Sequence, residues 1–216
     1  MAQQRRLAAN DRREQLLQVA SDLFSRKGFN GTTTREIAAA AGVTEAIIFR
    51  HFESKERLYT AIIDRKLNSP GAAEWMAELR AAMDRDDDEA VIRQLLQAVI
   101  LVHKTDPQFE RLMLYAALEG NEIALEHMRQ MTAPLMNLYR KYFQRRQKQG
   151  RLKPCAPAVA LTAIVGMARN YALGKYIHEL KEQCVSFSDE QVLDSFTRIA
   201  MGGLSVAKPQ KVATRK

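Results

Sequence analysis

Between Thr33 and Lys55 the chain concentrates side chains able to recognise a patterned, negatively charged partner: Thr33, Thr34, Arg35, Thr44, Glu45, Arg50, His51 and Lys55. Hydroxyls and cations of this kind bond phosphates, Arg can pair with guanine, and Glu can accept from a cytosine amino group. Covalent and metal chemistry have no comparable footing. None of the four histidines belongs to an HExxH or Glu-x-x-His pair, and no Gly-rich phosphate loop or Gly-x-Ser-x-Gly elbow occurs. Cys155 and Cys184 stand apart with no CxxC, so they suggest ordinary thiols, not a zinc site or a disulfide framework. The acidic run at 84–89 lacks the Gly and spaced oxygen ligands of a calcium loop. No enzyme activity, cofactor or metal is expected.

The elements that must hold the 33–55 side chains can be read from spacing. Thr33 and Glu36 stand as in a capping box, so a helix starts there. Ile37, Ala38 and Ala41 share its inner face, Gly42 supplies its left-handed stop, and Val43 points back inward. Thr44 is placed to cap a second short helix that turns Ile48 and Phe52 inward and leaves Glu45, Ala46, Ile47, Phe49, Arg50 and His51 outside. Two short helices joined by a tight Gly turn make a helix-turn-helix, whose second helix is sized for the major groove. Ahead of it, Leu16, Leu17, Ala20, Leu23 and Phe24 recur at helical spacing over Asp11–Lys27, and Gly28 closes that helix. Behind it, Ser54 can cap a helix carrying Leu58, Ile62 and Leu67 inward; its N-terminus, with Lys55 in the first turn, suits a phosphate.

These residues resemble the TetR family of bacterial transcriptional repressors. The resemblance runs over 11–67 through Gly28-Phe29, Thr33-Thr34, Ile37-Ala38, Ala41-Gly42-Val43, Ile48-Phe49, Phe52, Ser54-Lys55 and Leu58. It implies that Thr33, Thr34, Arg50, His51 and Lys55 meet phosphates. Arg35, Glu45, Ala46 and Ile47 are then placed for base edges, with Thr44 and Phe49 completing the DNA-facing set. Phe49 stands where the family usually has a Tyr whose hydroxyl meets a phosphate.

With 216 residues, 46% of them hydrophobic, the chain can bury a sizeable core. Its +8 charge suits a polyanion, yet 1–55 holds nine Lys/Arg against six Asp/Glu, while 140–153 carries seven cations and no acid. No strand alternation follows 70. The expectation is an all-α protein: a three-helix helix-turn-helix domain at 11–55, a connecting helix at 56–70 ending on the break Asn68-Ser69-Pro70-Gly71, and a larger helical ligand-binding and dimerisation domain at 71–204. Flexible basic tails are expected at 1–10 and 205–216, and Pro134 is expected to bend or divide the helix spanning 121–149. By resemblance, the last two helices pair between subunits of a homodimer through Val159, Ala163, Gly166, Met167, Val192, Phe196, Ile199 and Ala200. Resemblance also implies a small-molecule effector; candidate pocket liners are His103, Arg111, Met113, Tyr115, His127, Met128, Met131, Asn170 and Tyr171. The N-terminus has no apolar h-region and the run Ala156–Ala168 is too short to span a bilayer, so a soluble, cytoplasmic protein without membrane partners is expected. The function expected is a ligand-released repressor on a near-palindromic double-stranded DNA operator. An all-helical adaptor without sequence-specific DNA binding is the alternative, to be distinguished by whether the 35–55 surface is exposed.

Overall fold

The computed structural model describes residues 2–67, 71–178 and 186–206. Among them the helices run α1 Ala2–Lys27, α2 Thr34–Ala41, α3 Glu45–Phe52, α4 Lys55–Leu67, α5 Ala72–Asp84, α6 Asp88–Thr105, α7 Pro107–Leu118, α8 Glu122–Lys148, α9 Pro157–Ala172 and α10 Asp189–Leu204. A π-helical turn, Leu173–Ile177, follows α9. The described residues hold no strand beyond one isolated bridge, Leu152 with Ser205. None of their helices is long and apolar enough to cross a membrane. The chain divides into two compact units, 1–73 with 102–134, and 74–101 with 135–216.

The first unit is built on α1. Leu16, Leu17, Ala20 and Phe24 are fully buried, against Ile37 and Ala38 of α2, Ile48 and Phe52 of α3, and Leu58, Tyr59, Ile62 and Ile63 of α4. Phe109, Leu112 and Ala116, at helical spacing on α7, and Ala124 of α8 complete the same core. This grouping differs from the expected division at residue 70, because α7 offers its apolar stripe to the N-terminal helices. Burying an aromatic or aliphatic side chain of this size contributes about 1.5–3 kcal/mol. Residues 2–10, expected as a loose arm, continue α1; Ala, Gln, Arg and Leu there favour a helix and no Gly or Pro interrupts it. The expected break at 68–71 falls between α4 and α5, with 68–70 outside the described residues.

In the second unit the core joins Leu79 and Met83 of α5, Val91, Ile92, Leu95, Leu96 and Ile100 of α6, Tyr139, Tyr142 and Phe143 of α8, Ala160, Leu161, Ile164 and Ala168 of α9, and Val192 and Leu193 of α10. Arg146 is buried among them, its Nε and Nη2 on the two oxygens of Asp88 at 2.7 and 2.8 Å, while the Tyr142 hydroxyl donates to Asp88 at 2.6 Å. The acidic run at 84–89 thus spends Asp86 and Asp88 on arginines, and no group of metal-ligating side chains forms among the described residues. Helix α8 runs unbroken across Pro134, which deletes one N–H without dividing the helix. Cys155 is a free, exposed thiol; Cys184 and the expected tail beyond Val206 lie outside the described residues.

Candidate nucleic-acid interface

Local chemistry sets the reading helix first. Thr33 caps α2 through a full capping box: its Oγ1 accepts from the Glu36 amide at 3.1 Å and the Glu36 carboxylate accepts from the Thr33 amide at 2.9 Å. Lys27, bonded at 2.8 Å, and these Thr33 donors hold the Glu36 carboxyl down at about 2. Gly42 sits at φ 66°, a left-handed cap that a Cβ would strain, and the Val43 amide closes the turn on the Ala38 carbonyl at 2.9 Å. Thr44 occupies the N-cap of α3 but makes no side-chain cap bond. The link between the two helices is instead the Thr34 hydroxyl, which donates to the Glu45 carboxylate at 2.6 Å. Ser54 caps α4 by accepting from the Arg57 amide at 3.1 Å.

With Ile48 and Phe52 buried, α3 leaves Ala46, Phe49 and Arg50 exposed and Glu45, Ile47 and His51 half-buried; Thr33, Arg35 and Thr44 are exposed beside them, and Thr34 and Lys55 are half-buried. The surface that separates a DNA reader from an adaptor is therefore open. One neighbour was not legible in the sequence. Arg13 of α1 lays its guanidinium 5.0 Å from the Phe52 ring centroid and lines a shallow cleft with His51, Glu53, Arg57 and Asp64. Burial, then Arg50, Arg13 and Arg12, hold the His51 imidazole below its ordinary pKa.

The loop Gly28–Thr32 that leads into α2 is clamped from two sides. Lys55 Nζ donates to the Phe29 carbonyl at 2.9 Å and the Thr32 carbonyl at 3.0 Å, and sits 4.1 Å from the Phe29 ring centroid. From α7, the Glu119 carboxylate accepts from the Phe29 amide at 2.8 Å and the Asn30 amide at 3.2 Å. Gly28, at φ 75°, lies so close that a Cβ there would stand 2.1 Å from Glu119 Oε1. Further ties run from Tyr115 to the Arg26 carbonyl at 3.1 Å, from Tyr59 to the Leu112 carbonyl at 2.9 Å, and between Lys66 and Asp106. Lys55, expected at a phosphate, thus has a structural task as well, with one N–H of its ammonium left over.

Residues 16–62 match the family described as bacterial regulatory proteins, tetR family. The HTH-type transcriptional regulator RutR of Escherichia coli (strain K12) is 27% identical over 165 residues, 76% of each chain. Over the N-terminal segment 16–62 the chain resembles the tetR family. The whole fold agrees with solved structures described as TetR-type regulators or repressors. NalD, the secondary repressor of the MexAB-OprM multidrug efflux pump in Pseudomonas aeruginosa, superposes with TM-score 0.68 over 93% of this chain and 100% of its own at 23% identity. AibR in complex with isovaleryl coenzyme A and operator DNA superposes with TM-score 0.62 over 87% and 97% at 20% identity.

The expected pocket liners scatter. His103, Arg111, Met113, Tyr115, His127, Met128 and Met131 belong to the first unit, Asn170 and Tyr171 to the second. His103 is buried 3.5 Å from Glu110, His127 bonds Asp64 at 2.7 Å, Met113 and Met128 pack on the α1 core, and Arg111, Met131 and Asn170 are exposed. Tyr171 is held by Asp189 and Lys175 at 2.9 and 2.7 Å. None of the described clefts is lined by these nine residues. Among the described residues, buried polar atoms without a hydrogen-bond partner include Ser21 Oγ in the first unit and Gln94 Oε1, Tyr139 OH and Thr197 Oγ1 in the second. Of the expected dimer residues, Val159, Ala163, Gly166 and Ile199 are exposed, while Met167 and Phe196 are half-buried. Val192 and Ala200 face the core of their own unit at 8% and 6% exposure, so they are withdrawn from any outer surface.

Proposed function

We propose that this protein is a dimeric transcriptional repressor that holds a near-palindromic operator and is released by a small-molecule effector. The observation that carries the reading is the open face of α3, its start tied to α2 by Thr34 and Glu45 and its lead-in loop fixed by Lys55 and Glu119. Arg35, Glu45, Ala46 and Ile47 read base edges; Thr44, Arg50, His51 and the remaining Lys55 N–H hold phosphates, with Arg13 joining them, while the Thr33 and Thr34 hydroxyls, expected at phosphates, are already donated to Glu36 and Glu45 and brace the surface. The hydroxyl-free Phe49, 45% exposed, gives this surface an apolar contact where a phosphate bond is lacking. Resemblance to the tetR family supports the DNA role, and NalD and AibR supply precedents for repression and for an operator complex with an effector.

Two recognition helices must enter successive major grooves roughly 34 to 36 Å apart, so a two-fold dimer fits a near-palindrome. The outward apolar residues Val159, Ala163, Gly166 and Ile199 support pairing through α9 and α10. Gln94, Tyr139 and Thr197, polar atoms already inside the second unit, support an effector site there, since such sites orient their ligand with a few convergent polar groups. Selection from random duplex DNA tests the reading. Recovery of a two-fold consensus is expected; recovery of no consensus overturns it in favour of an adaptor. Calorimetry of an effector candidate with and without the operator then tests release, because linkage requires unequal affinities, and equal affinities would sink that part.

A further inference from the structure

The two acid-free basic stretches of the chain, 140–153 with seven Lys/Arg and 205–216 with four, are far apart in sequence. The fold brings their ends together. Leu152 forms the bridge with Ser205, the Lys153 amide donates to the Leu204 carbonyl at 2.7 Å, and the Val206 amide donates to the Arg151 carbonyl at 3.2 Å. The last described residue, Val206, therefore lies beside Arg151.

The seven cations of 140–153 divide by what they touch. Arg145 and Arg146 are spent on Asp86 and Asp88, and the Lys153 ammonium reaches the Gly202 carbonyl at 3.3 Å. Arg140, Lys141, Lys148 and Arg151 are exposed and have no carboxylate partner among the described residues. No acid stands three or four residues from Arg140, Lys141 or Lys148 on α8, where Asn137, Gln144 and the Asp86-paired Arg145 are among their neighbours. Lys141 and Lys148, seven residues apart, share one face about 10 Å apart along the axis, with Gln144 between them. A solvated helix face ordinarily mixes both signs. A row of unpaired cations with uncharged hydrogen-bonding residues between them matches a row of phosphates.

We propose that this end of the second unit is a sequence-independent nucleic-acid-binding surface, contacting duplex DNA backbone through Arg140, Lys141, Lys148 and Arg151. It rests on the reading of this protein as a DNA-bound regulator for the choice of polyanion. Such a surface makes weak, salt-sensitive contacts with any duplex and so raises the protein's concentration along DNA.

The test uses the full chain and a 30-base-pair duplex of unrelated sequence, titrated by fluorescence anisotropy from 50 to 200 mM salt. Both arms carry Arg35→Glu and Arg50→Glu, which make the reading head repel DNA. Adding Arg140→Gln, Lys141→Gln, Lys148→Gln and Arg151→Gln should lower the salt slope by roughly 3 to 4, removing about 100-fold of salt-dependent affinity over that range. Gln144→Glu alone, an exposed change that leaves the core untouched, should weaken the same binding several-fold. With an intact head, the four-Gln protein should still select the same operator consensus. An unchanged slope overturns the proposal. Capture of anionic lipid vesicles or polyglutamate that depends on these four residues, with duplex binding unaffected, overturns the assignment to DNA. If the intact protein selects no operator while the slope still falls, the regulator reading fails and the surface stands.

Discussion

At the scale of single residues, Lys55 and His51 carry the most testable chemistry. Lys55→Met removes a charged donor from two carbonyls of the 28–32 loop, which should cost about 1–3 kcal/mol of stability in denaturant titration. It should also lower the salt slope of operator binding by about one if its remaining N–H meets a phosphate. The two readouts separate its two tasks. His51 titrates below its ordinary value because burial and Arg50, Arg13 and Arg12 disfavour the imidazolium. A phosphate reverses that bias, so DNA binding takes up a proton and operator affinity should rise as pH falls from 8 towards 5.5, while His51→Gln stays flat. The sign for folding is opposite: a histidine whose folded pKa is depressed costs stability as pH falls through 6.5. Tyr139 is fully buried with an unpartnered hydroxyl, so Tyr139→Phe should keep or raise the melting temperature; weakened effector release in the same variant would place the phenol at the ligand. The capping box at Thr33 was legible in the sequence because both partners lie within one helical turn. The partner of the Phe29 and Asn30 amides was not, because Glu119 stands 89 residues from Asn30.

At the scale of elements, α7 acts as a brace for the helix-turn-helix. Glu119→Ala should leave the Phe29 and Asn30 amides without their acceptor, speed their hydrogen exchange, and weaken operator binding by roughly tenfold, about 1.4 kcal/mol. Because no phosphate contact is lost, the salt slope should not change; a slope lower by one would make Glu119's effect electrostatic instead. Helix boundaries were legible where a cap or a breaker announced them, as for α2 from Thr33 to Gly42; the complete capping box of Ser188 with Gln191 at the start of α10 was passed over. One element was misread for a physical reason: residues 2–10 look like a polar arm but have high helix propensity and extend α1, while α8 continues across Pro134 without being divided there.

For the whole molecule, the two-fold operator proposed above would have to be matched by a two-fold protein. Phe196 packs edge-on against Tyr171 and is half-buried, so changing it would disturb the unit itself. Ile199, 60% exposed on α10, is the cleaner probe. Ile199→Asp should give monomers by light scattering with an unchanged helical signal and a loss of operator affinity; a full-size dimer would move the interface elsewhere. The all-helical fold and the placement of the reading helix were readable from periodicity and caps. The grouping of 102–134 with the N-terminal helices was not, since an apolar stripe such as Phe109, Leu112 and Ala116 says that a helix packs without saying against what. That grouping bears on how reading heads can be transplanted between regulators. A graft of residues 1–67 alone onto a foreign body would take Phe109, Leu112 and Ala116 out of the core they share with α1 and α4 and strip the Tyr59 hydroxyl of the Leu112 carbonyl. Such chimeras should express poorly or bind DNA weakly, whereas those that also carry 102–134 should keep the donor's operator preference.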